Sequence, residues 1–364
     1  MSRTHNFNAG PAALPLPVLE RAQREMIDFE GTGMSLLEHS HRGATYEAVH
    51  NDAIARLRRV MEVPDDYEVL FLQGGASLQF AMIAMNFLPQ DGSADYIVTG
   101  AWSKKALAEA KRYGALAGGK ARAAADMHVD GVCSRVPQQD ELDLDPGAAY
   151  VHVTSNNTIF GTQFHEFPDT GKVPMVVDMS SDILWRPIDV RQFGMIYAGA
   201  QKNVGPSGLA IVVLQRDLLA RARKDAPSIL QYAVHAEQNS LYNTPNSFAI
   251  YMVRNVLEHL EDVGGLAAVE KLNRAKATLL YEEFDGDFYR CPVEESSRSV
   301  MNVVFRLPTE ELEKRFVTES QKAGLVGLKG HRSVGGMRAS IYNAVPMASV
   351  EALVAFMQSF RKSA

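Results

Sequence analysis

Residues 195–214, MIYAGAQKNVGPSGLAIVVL, hold two apolar runs on either side of a glycine-rich connection. The runs Met195–Ala198 and Ala210–Leu214 have the length and composition of buried strands. Lys202 lies on the connection, with only small or amide neighbours. Desolvation lowers the pKa of a lysine and makes its amine a usable nucleophile towards aldehydes. The stretch therefore predicts a reactive buried lysine, with the solvated surface charge of most lysines as the alternative.

Apolar runs separated by helical patterns continue on both sides of this stretch. The further strand-like runs are Val69–Leu72, Tyr96–Val98, Tyr150–Val153 and Val173–Asp178. The helical patterns cover Pro17–Phe29, Tyr46–Met61, Ser103–Tyr113, Ser247–Leu260 and Gly265–Glu283. Strands that are apolar throughout are typical of parallel sheets with both faces covered. The sequence therefore predicts an α/β fold with a mostly parallel sheet.

The pattern changes towards the C-terminus and predicts a second, smaller domain. Its elements are the strands Val300–Phe305 and Met337–Ile341 and the helices Glu310–Ala323 and Ala348–Phe360. This order is typical of an α+β domain with an antiparallel sheet. A length of 364 residues suits about two domains. We place the large domain at 16–260, with a boundary in the long helix near 260, and the small domain at 1–15 and 261–364.

The composition is that of an ordinary soluble protein and excludes several classes of partner. The formal net charge is −6 at pH 7, without a basic excess that would favour nucleic acid or an anionic membrane. No apolar run reaches the ~18 residues of a membrane span, and the N-terminus has no signal-peptide core. The two cysteines, Cys133 and Cys291, form no CxxC pair. We expect a cytoplasmic protein in a reducing compartment.

Asp178 ends the apolar run Val173–Asp178 and is followed by Ser180 and Ser181. Open α/β sheets place ligand-contacting groups at the carboxyl ends of their strands, although aspartate also caps helices well. Pyridoxal 5′-phosphate (PLP) requires an amine for its aldehyde and a carboxylate beside its pyridine nitrogen. With Lys202 on the neighbouring strand, Asp178 would complete this pair. The sequence therefore suggests a PLP site.

Two further segments suit other parts of such a cofactor. Residues 74–77, GGAS, follow Val69–Leu72 and precede a helix, where backbone N–H groups bind phosphate. They do not form a P-loop, because the GxxxxGK[ST] pattern is absent. Trp102 follows the run Tyr96–Val98 and offers a ring on which a flat cofactor stacks. Each segment alone also fits an ordinary turn or a core tryptophan.

A group of cationic residues is the last candidate feature, and it comprises His41, Arg42, His331, Arg332 and Arg338. Arg332 and Arg338 lie in a glycine-rich segment that leads into an apolar run. Arginine binds carboxylate and phosphate through paired hydrogen bonds. The histidines near residue 40 have no third ligand at a suitable spacing, so we predict no metal site. The group predicts a pocket for small anions, with ordinary surface charge as the alternative.

Several motifs together closely resemble the phosphoserine aminotransferase family, which are fold-type-I, class-V, PLP-dependent aminotransferases of serine biosynthesis. The motifs are FNAGPA at 7–12, SHRG at 40–43, GGAS at 74–77, IYAGAQKN at 196–203, YNTP at 242–245 and KGHRSVGGMRASIYN at 329–343. The resemblance covers nearly the whole chain, and AGAQKN and GGMRASIYN are highly specific to the family. It implies a large domain with a mostly parallel sheet of the seven-stranded kind found in fold-type-I enzymes, and a smaller C-terminal α+β domain.

The resemblance also implies roles for single residues around the cofactor. Lys202 would form the Schiff base, Asp178 would pair with the pyridine nitrogen, Trp102 would stack on the ring, and Thr158 would lie near the ring hydroxyl. Ala76, Ser77 and Gln201 would hold the cofactor phosphate, together with Asn243 and Thr244 from the partner subunit of a homodimer. Some members carry arginine where Ser77 stands. Lys202 and Asp178 would be the catalytic residues.

For the substrates, the resemblance implies that Arg338 binds the α-carboxylate. His41, Arg42, His331 and Arg332 would hold the distal phosphate or carboxylate, some of them from the second subunit. The reaction would convert L-glutamate and 3-phosphohydroxypyruvate to 2-oxoglutarate and O-phospho-L-serine. Some bacterial members also form 4-phosphohydroxy-L-threonine in pyridoxine biosynthesis, and the sequence leaves this second activity open.

Two other kinds of protein share parts of this pattern. A cysteine desulfurase or a small-substrate aminotransferase has the same fold, but a desulfurase needs a reactive cysteine, and neither Cys133 nor Cys291 lies near the motifs. A non-catalytic protein that binds phosphorylated metabolites would need only the cationic group. A visible absorbance with PLP that changes on addition of glutamate separates the enzyme from the binding protein.

Overall fold

The computed structural model describes residues 3–364. The strands are β1 (His5–Asn6), β2 (Tyr67–Leu72), β3 (Ser93–Val98), β4 (Lys120–Asp126), β5 (Val151–Thr154), β6 (Met175–Asp178), β7 (Met195–Gly199), β8 (Ala210–Gln215), β9 (Asn302–Phe305), β10 (Leu325–Val326) and β11 (Met337–Ser340). The α-helices are α1 (Leu16–Glu25), α2 (Ala44–Met61), α3 (Gly75–Phe87), α4 (Ala101–Ala117), α5 (Arg216–Leu219), α6 (Tyr232–Glu237), α7 (Ser247–Asp262), α8 (Gly265–Tyr281), α9 (Glu310–Lys322) and α10 (Met347–Ser363).

A seven-stranded sheet forms the centre of the fold, in the order β2-β8-β7-β6-β5-β3-β4. Only β8 runs antiparallel to its neighbours in this sheet, because it follows β7 through a short connection. The other strands point the same way, so their carboxyl ends share one edge. The predicted α/β fold with a mostly parallel sheet is confirmed.

Both faces of this sheet are buried, which explains why its strands are apolar throughout. One face, with Val69, Val177 and Ile196, packs against α2 and α7. The opposite face, with Val176 and Tyr197, packs against α3 and α4. Side chains alternate between faces along a strand, and here either face meets a helix layer.

A second hydrophobic cluster gathers the C-terminal elements and the N-terminal segment. It contains Phe7 together with residues of α8, β9, α9, β11 and α10. β9 and β11 pair antiparallel, as predicted, and β1 pairs parallel with β10. Within α8, Val269 belongs to the first cluster and Ala277 to the second. The division into 16–260 and 1–15 with 261–364 stays a prediction.

The observed helices follow the predicted ones with small shifts at their ends. The two helices predicted at Ser247–Leu260 and Gly265–Glu283 are observed as α7 and α8, and they are separate because Gly264 has a φ of +101° and interrupts the helical path. Such a conformation is accessible to glycine at no steric cost. Among the helices of residues 3–364, none combines the length and apolar character needed to cross a membrane.

Candidate active site

A cavity of about 280 Å³ lies at the sheet edge where the parallel strands end. Its lining comes from the residues that follow β2, β3, β5, β6 and β7. Among the lining residues are the predicted cofactor ligands Ala76, Ser77, Trp102, Thr158, Asp178, Gln201 and Lys202. These seven positions, spread over 127 residues of sequence, meet because each follows a strand whose carboxyl end reaches the same edge.

Lys202 is buried in this cavity, which decides against a solvated surface lysine. Its Nζ donates a hydrogen bond of 2.7 Å to Thr158 Oγ1 and lies 5.8 Å from the centroid of the Trp102 ring. Burial lowers the pKa of Lys202 to about 8, aided by the positive charge of Arg338 and opposed by the negative charge of Asp178. Near neutral pH the neutral fraction of the amine is therefore far larger than that of an exposed lysine, as a nucleophile requires.

Asp178 is the last residue of β6 and lies opposite Thr154 of β5 and Tyr197 of β7. Burial raises the pKa of its carboxyl group, while hydrogen bonding to Ser180, the charge of Lys202 and the nearby Tyr197 hydroxyl oppose this rise. Its Oδ1 accepts a hydrogen bond of 2.9 Å from the backbone N–H of Ser180. Asp178 thus closes a local turn, as a capping residue does, and also presents a carboxylate to the cavity.

The glycine turn at Gly74 and Gly75 leads from β2 into the first turn of α3. Gly74 has a φ of +83°, and a Cβ built there would lie 2.5 Å from a side-chain carbon of Leu78. No side chain among the described residues caps the start of α3. The N–H groups of this first turn are therefore free to receive an anion at the cavity, beside Ala76 and Ser77.

The polar atoms of the cavity wall can be compared with the groups that PLP carries. Trp102 Nε1 and Thr154 Oγ1 are buried and find no hydrogen-bond partner within residues 3–364. Natural proteins rarely leave such atoms without a partner unless a ligand or ion supplies one. A ring carrying an aldehyde, a basic nitrogen and a phosphate matches the amine of Lys202, the carboxylate of Asp178 and the start of α3. The residues present fit the cofactor.

Asn243 and Thr244 are the two predicted cofactor residues that this chain does not bring to the cavity. They precede α7 on a loop whose Thr244 carbonyl oxygen accepts a 2.8 Å hydrogen bond from Gln73 Nε2. Thr244 is exposed and Asn243 is half-buried. The loop therefore lies beside the glycine turn without pointing these side chains into the chain's own cavity, and their predicted reach into a partner's site stays a prediction.

Arg338, on β11, lies next to the Lys202 pocket. Its Nη1 donates a 3.2 Å hydrogen bond to the backbone oxygen of Thr158, the residue whose hydroxyl accepts from Lys202. Its Nε is buried and has no partner among the described residues, and burial lowers its pKa. Arg338 also borders a second cavity of about 470 Å³ beside Asn8 and Lys329. This guanidinium is open to an anion that enters from that side.

The other cationic residues that the sequence singles out lie in two separate parts of the chain's fold. Burial, followed by the positive charges of Arg338, Arg332 and Lys105, lowers the pKa of His331, so these cations lie close enough to act on its imidazole. Arg332 is exposed. His41 and Arg42 lie in the turn before α2, and neither lines the cavity of this chain. Of the predicted anion group, His331, Arg332 and Arg338 therefore lie near one another, although neither His331 nor Arg332 lines the Lys202 cavity of this chain.

Sequence reasoning missed several polar residues of the wall, namely Thr154, Asn156, Ser180 and Ser181. Asn156 Nδ2 donates 2.8 Å hydrogen bonds to Ser181 Oγ and to Asn302 Oδ1 of β9, so it joins the wall to the second cluster. The sequence could have indicated them, because each of these residues ends a buried strand or lies within three residues of its end. Polar residues at that position are typical of ligand sites in such sheets.

The two cysteines bear on the desulfurase alternative. Cys133 is buried, and burial raises the pKa of its thiol to about 12. Burial also raises the pKa of Cys291, so neither thiol is activated as a nucleophile. Within residues 3–364, no group of three histidine, cysteine or acidic side chains could hold a metal ion. The geometry thus favours chemistry at Lys202.

Comparison with known proteins agrees with this geometry along the whole chain. The profile of the family described as aminotransferase class-V matches residues 4–353. The phosphoserine aminotransferase of Niallia circulans is 56% identical over 363 residues, which are 99% of each chain. The structure of phosphoserine aminotransferase from Bacillus circulans subsp. alkalophilus superposes with a TM-score of 0.94 at 56% identity, with 99% of each chain covered. The PLP-bound phosphoserine aminotransferase from Trichomonas vaginalis superposes with a TM-score of 0.94 at 40% identity, with 98% of this chain and 100% of that chain covered. The chain therefore belongs to the phosphoserine aminotransferases, within the class-V aminotransferase family.

Proposed function

We propose that the chain transfers the amino group of L-glutamate to 3-phosphohydroxypyruvate, giving 2-oxoglutarate and O-phospho-L-serine for L-serine biosynthesis. The observation that carries this proposal is the pairing of a buried, low-pKa amine and a buried carboxylate in one cavity. Full-length identity of 56% to curated phosphoserine aminotransferases supports the same reaction.

PLP is the cofactor of this reaction, and the cavity residues would hold each of its parts. The start of α3 with Ala76 and Ser77, together with Gln201, would bind the phosphate. Trp102 would cover the ring and Asp178 would hold the proton on the pyridine nitrogen. When bound, PLP supplies an aldehyde that accepts the amino group and a ring that takes up the electron pair left at the substrate Cα.

Lys202 acts twice in this scheme. It would hold the cofactor through its amine, and the same amine would carry the proton once the substrate is bound. With a pKa of about 8, Nζ would be able both to take up and to release a proton near neutral pH. The hydroxyl of Thr158, which accepts a hydrogen bond from Nζ at 2.7 Å, holds the amine in place in the cavity.

The cationic residues would select substrates that carry two acidic groups. Arg338, beside Thr158 and with its Nε unpartnered among the described residues, would bind the α-carboxylate common to both amino acids. His331 and Arg332, with His41 and Arg42 of a second subunit, would bind the distal carboxylate of glutamate or the phosphate of phosphoserine. The working unit is then a cytoplasmic homodimer in which Asn243 and Thr244 reach the partner's phosphate site.

The decisive experiment follows the visible absorbance of the PLP-loaded protein. Glutamate should convert the absorbance of the aldehyde form to that of the amine form, and 3-phosphohydroxypyruvate should restore it faster than pyruvate or oxaloacetate. The phosphorylated 2-oxo acid that precedes 4-phosphohydroxy-L-threonine belongs in the same panel and tests the second biosynthetic activity. An absorbance that glutamate leaves unchanged would exclude a transaminase and favour a binding protein.

A further inference from the structure

A layer of buried aromatic residues lies directly behind Asp178, on the sheet face that α3 and α4 cover. The side chains of Tyr96, Tyr150, His152 and Tyr197 are almost completely shielded from solvent. Tyr197 OH and His152 Nε2 are 2.8 Å apart, and the imidazole stacks on the Tyr96 ring with centroids 4.9 Å apart. The proposed reaction assigns no role to any of these groups.

Tyr197 connects this layer to the carboxylate. β6 and β7 pair in parallel with Asp178 opposite Tyr197, so both side chains leave the sheet on the same face. The Tyr197 hydroxyl lies close enough to Asp178 to lower the pKa of this carboxyl group, against the larger effect of burial, which raises it. The hydroxyl therefore lies between the carboxylate of Asp178 and the imidazole of His152.

The direction of the hydrogen bonds follows from the unpartnered atom of His152. Its Nδ1 is buried and has no hydrogen-bond partner of good geometry within residues 3–364, and burial lowers the pKa of the ring to about 3 against the weaker, opposing effect of the residue's own backbone, so the ring is neutral. A buried N–H without an acceptor is rarely tolerated. The proton of the neutral ring is therefore on Nε2, which donates to the Tyr197 oxygen and leaves the Tyr197 proton for Asp178.

We propose that His152 and Tyr197 are positioning residues for the reaction, because they form a one-way chain of hydrogen bonds, His152 to Tyr197 to Asp178, that keeps this carboxylate ionised and aimed at the cofactor nitrogen. This inference rests on the proposed function for its catalytic meaning. The chain of bonds itself is a property of the protein without cofactor, and it can be measured there.

The other groups that act on Asp178 set the background of the measurement. Lys202 from the β7–β8 connection favours the ionised carboxylate, and the backbone and side chain of Ser180 do the same. Asp182, which follows β6, is the nearby like charge. The neighbours from α3 and α4 in the cavity wall, Phe80 and Trp102, carry no charge. None of these groups is changed by a substitution at Tyr197 or His152.

The test titrates Asp178 in the cofactor-free protein by carbon-13 NMR of labelled aspartate carboxyl groups, with Asp178→Asn to assign the signal. Tyr197→Phe removes the donor but keeps the ring, and it should raise the titration midpoint by about one to two pH units. Tyr150→Phe is the matched control, because Tyr150 is equally buried and its hydroxyl contacts Tyr96 at 2.7 Å, away from Asp178. This control should leave the midpoint unchanged.

A second pair of variants keeps the test decisive if Tyr197→Phe does not fold. His152→Gln retains an N–H donor and should preserve the midpoint, whereas His152→Phe loses the donor and should raise it. In the holoenzyme, Tyr197→Phe should lower kcat in both half-reactions while KM for glutamate stays the same, because the chain of bonds does not contact the substrate.

Equal Asp178 midpoints in the wild type, Tyr197→Phe and His152→Phe would overturn the inference. A wild-type protein that cannot transaminate would instead overturn the proposed function, and the titration without cofactor separates these two failures.

Discussion

The Nζ of Lys202 meets one hydroxyl and one aromatic face, and neither contact neutralises it as a close carboxylate would. Burial is therefore the main influence on its pKa. The same side chain would be an ordinary base on the surface, since an exposed lysine keeps a pKa near ~10.4. The reactivity of Lys202 thus comes from its burial. Substitutions at this residue should separate non-covalent binding of the cofactor from its covalent attachment.

Replacing Lys202 by alanine should give a folded protein that retains PLP but cannot be labelled when borohydride is added. In the wild type, labelling should increase as the pH rises through about 8, because the amine loses its proton there. Lys105→Ala is the control, because Lys105 Nζ lies 4.5 Å from the same Trp102 ring but on an exposed side chain. Mass spectrometry of the reduced protein locates the label, and a label on a different lysine of the wild type would refute the assignment.

Asp178 has a structural and a proposed catalytic role, and two substitutions distinguish them. Asp178→Asn keeps an oxygen that accepts from the Ser180 N–H but loses the charge, so stability should persist while kcat falls on the order of a hundredfold or more. Asp178→Ala should lose kcat and also about 0.5–2 kcal/mol of unfolding free energy. Denaturant unfolding and single-turnover absorbance measure both effects. Full activity in Asp178→Asn would leave only the capping role.

Arg332 and Arg338 should differ in which substrate they serve. Phosphoserine and glutamate share the α-carboxylate, so Arg338→Leu should slow both half-reactions alike. The phosphate carries more charge than the distal carboxylate, so Arg332→Leu should lower kcat/KM for 3-phosphohydroxypyruvate by about ten- to a hundred-fold and affect glutamate less. Stopped-flow absorbance resolves the two half-reactions. Equal losses for Arg332→Leu would mean that this arginine does not recognise the phosphate.

Residues of the site differ in how readily the sequence reveals them. Lys202 and Asp178 are charged residues beside apolar runs, so they stand out. Tyr197 and His152 lie inside apolar strands, where a buried tyrosine or histidine is indistinguishable from ordinary core. Only the pairing register of β6 with β7 brings Tyr197 opposite Asp178, and register is a tertiary property that one strand's sequence does not contain.

Among the secondary-structure elements, β4 shows where local preference misleads. Its sequence, KARAAAD, is rich in good helix formers and gives no strand signal. It is nevertheless the edge strand of the large sheet, paired with β3, because the hydrogen-bonding groups of β3 would otherwise lack a partner on that side. The antiparallel direction of β8 was predictable, since parallel neighbours need a crossover longer than the short connection around Lys202.

Helix α8 holds the loop after β11 through a buried lysine, beside a hydrogen bond from Asn273 to Asn343. Lys276 Nζ donates to the backbone oxygens of Ile341, Tyr342 and Val345 at 2.8–3.0 Å. Three acceptors match the three N–H donors of an ammonium group. This contact fixes the segment between Arg338 and α10, although burial lowers the pKa of Lys276 to about 7.

Lys276→Met should therefore lower the unfolding temperature markedly, because three carbonyl oxygens lose the lysine donor, of which that of Tyr342 keeps the Val345 N–H, at a total cost of roughly 2–3 kcal/mol. Lys271→Met, on the exposed side of the same helix, is the matched control and should change little. Thermal unfolding followed by circular dichroism compares them. A Lys276→Met protein as stable as the control would show that the hydrogen bonds are not needed to hold the loop.

At the scale of the whole molecule, the predicted homodimer determines whether each site is complete. Subunits with Lys202→Ala and subunits with a disrupted Thr244 should each be inactive alone, and mixing them should restore part of the activity through hybrid sites. A Thr318→Ala subunit, changed at an exposed hydroxyl on α9, serves as the control partner. Sedimentation gives the oligomeric state, and a fully active monomer would contradict the composite site.

The N-terminal segment has a consequence for how the chain is made. β1 pairs with β10, the Tyr342 hydroxyl donates to the Ala9 oxygen across 333 residues of sequence, and the Ala12 N–H donates to the Gln201 oxygen beside Lys202. Residues 5–12 are therefore synthesised early but find their partners late. During translation, residues 5–12 leave the ribosome long before Leu325 is synthesised. The chain between them and β10 forms a long loop, and closing such a loop is slow. A nascent chain arrested before β10 therefore has the Gln201 partner of this segment but lacks its partners at β10 and Tyr342, so the segment that borders the reactive lysine is only partly held.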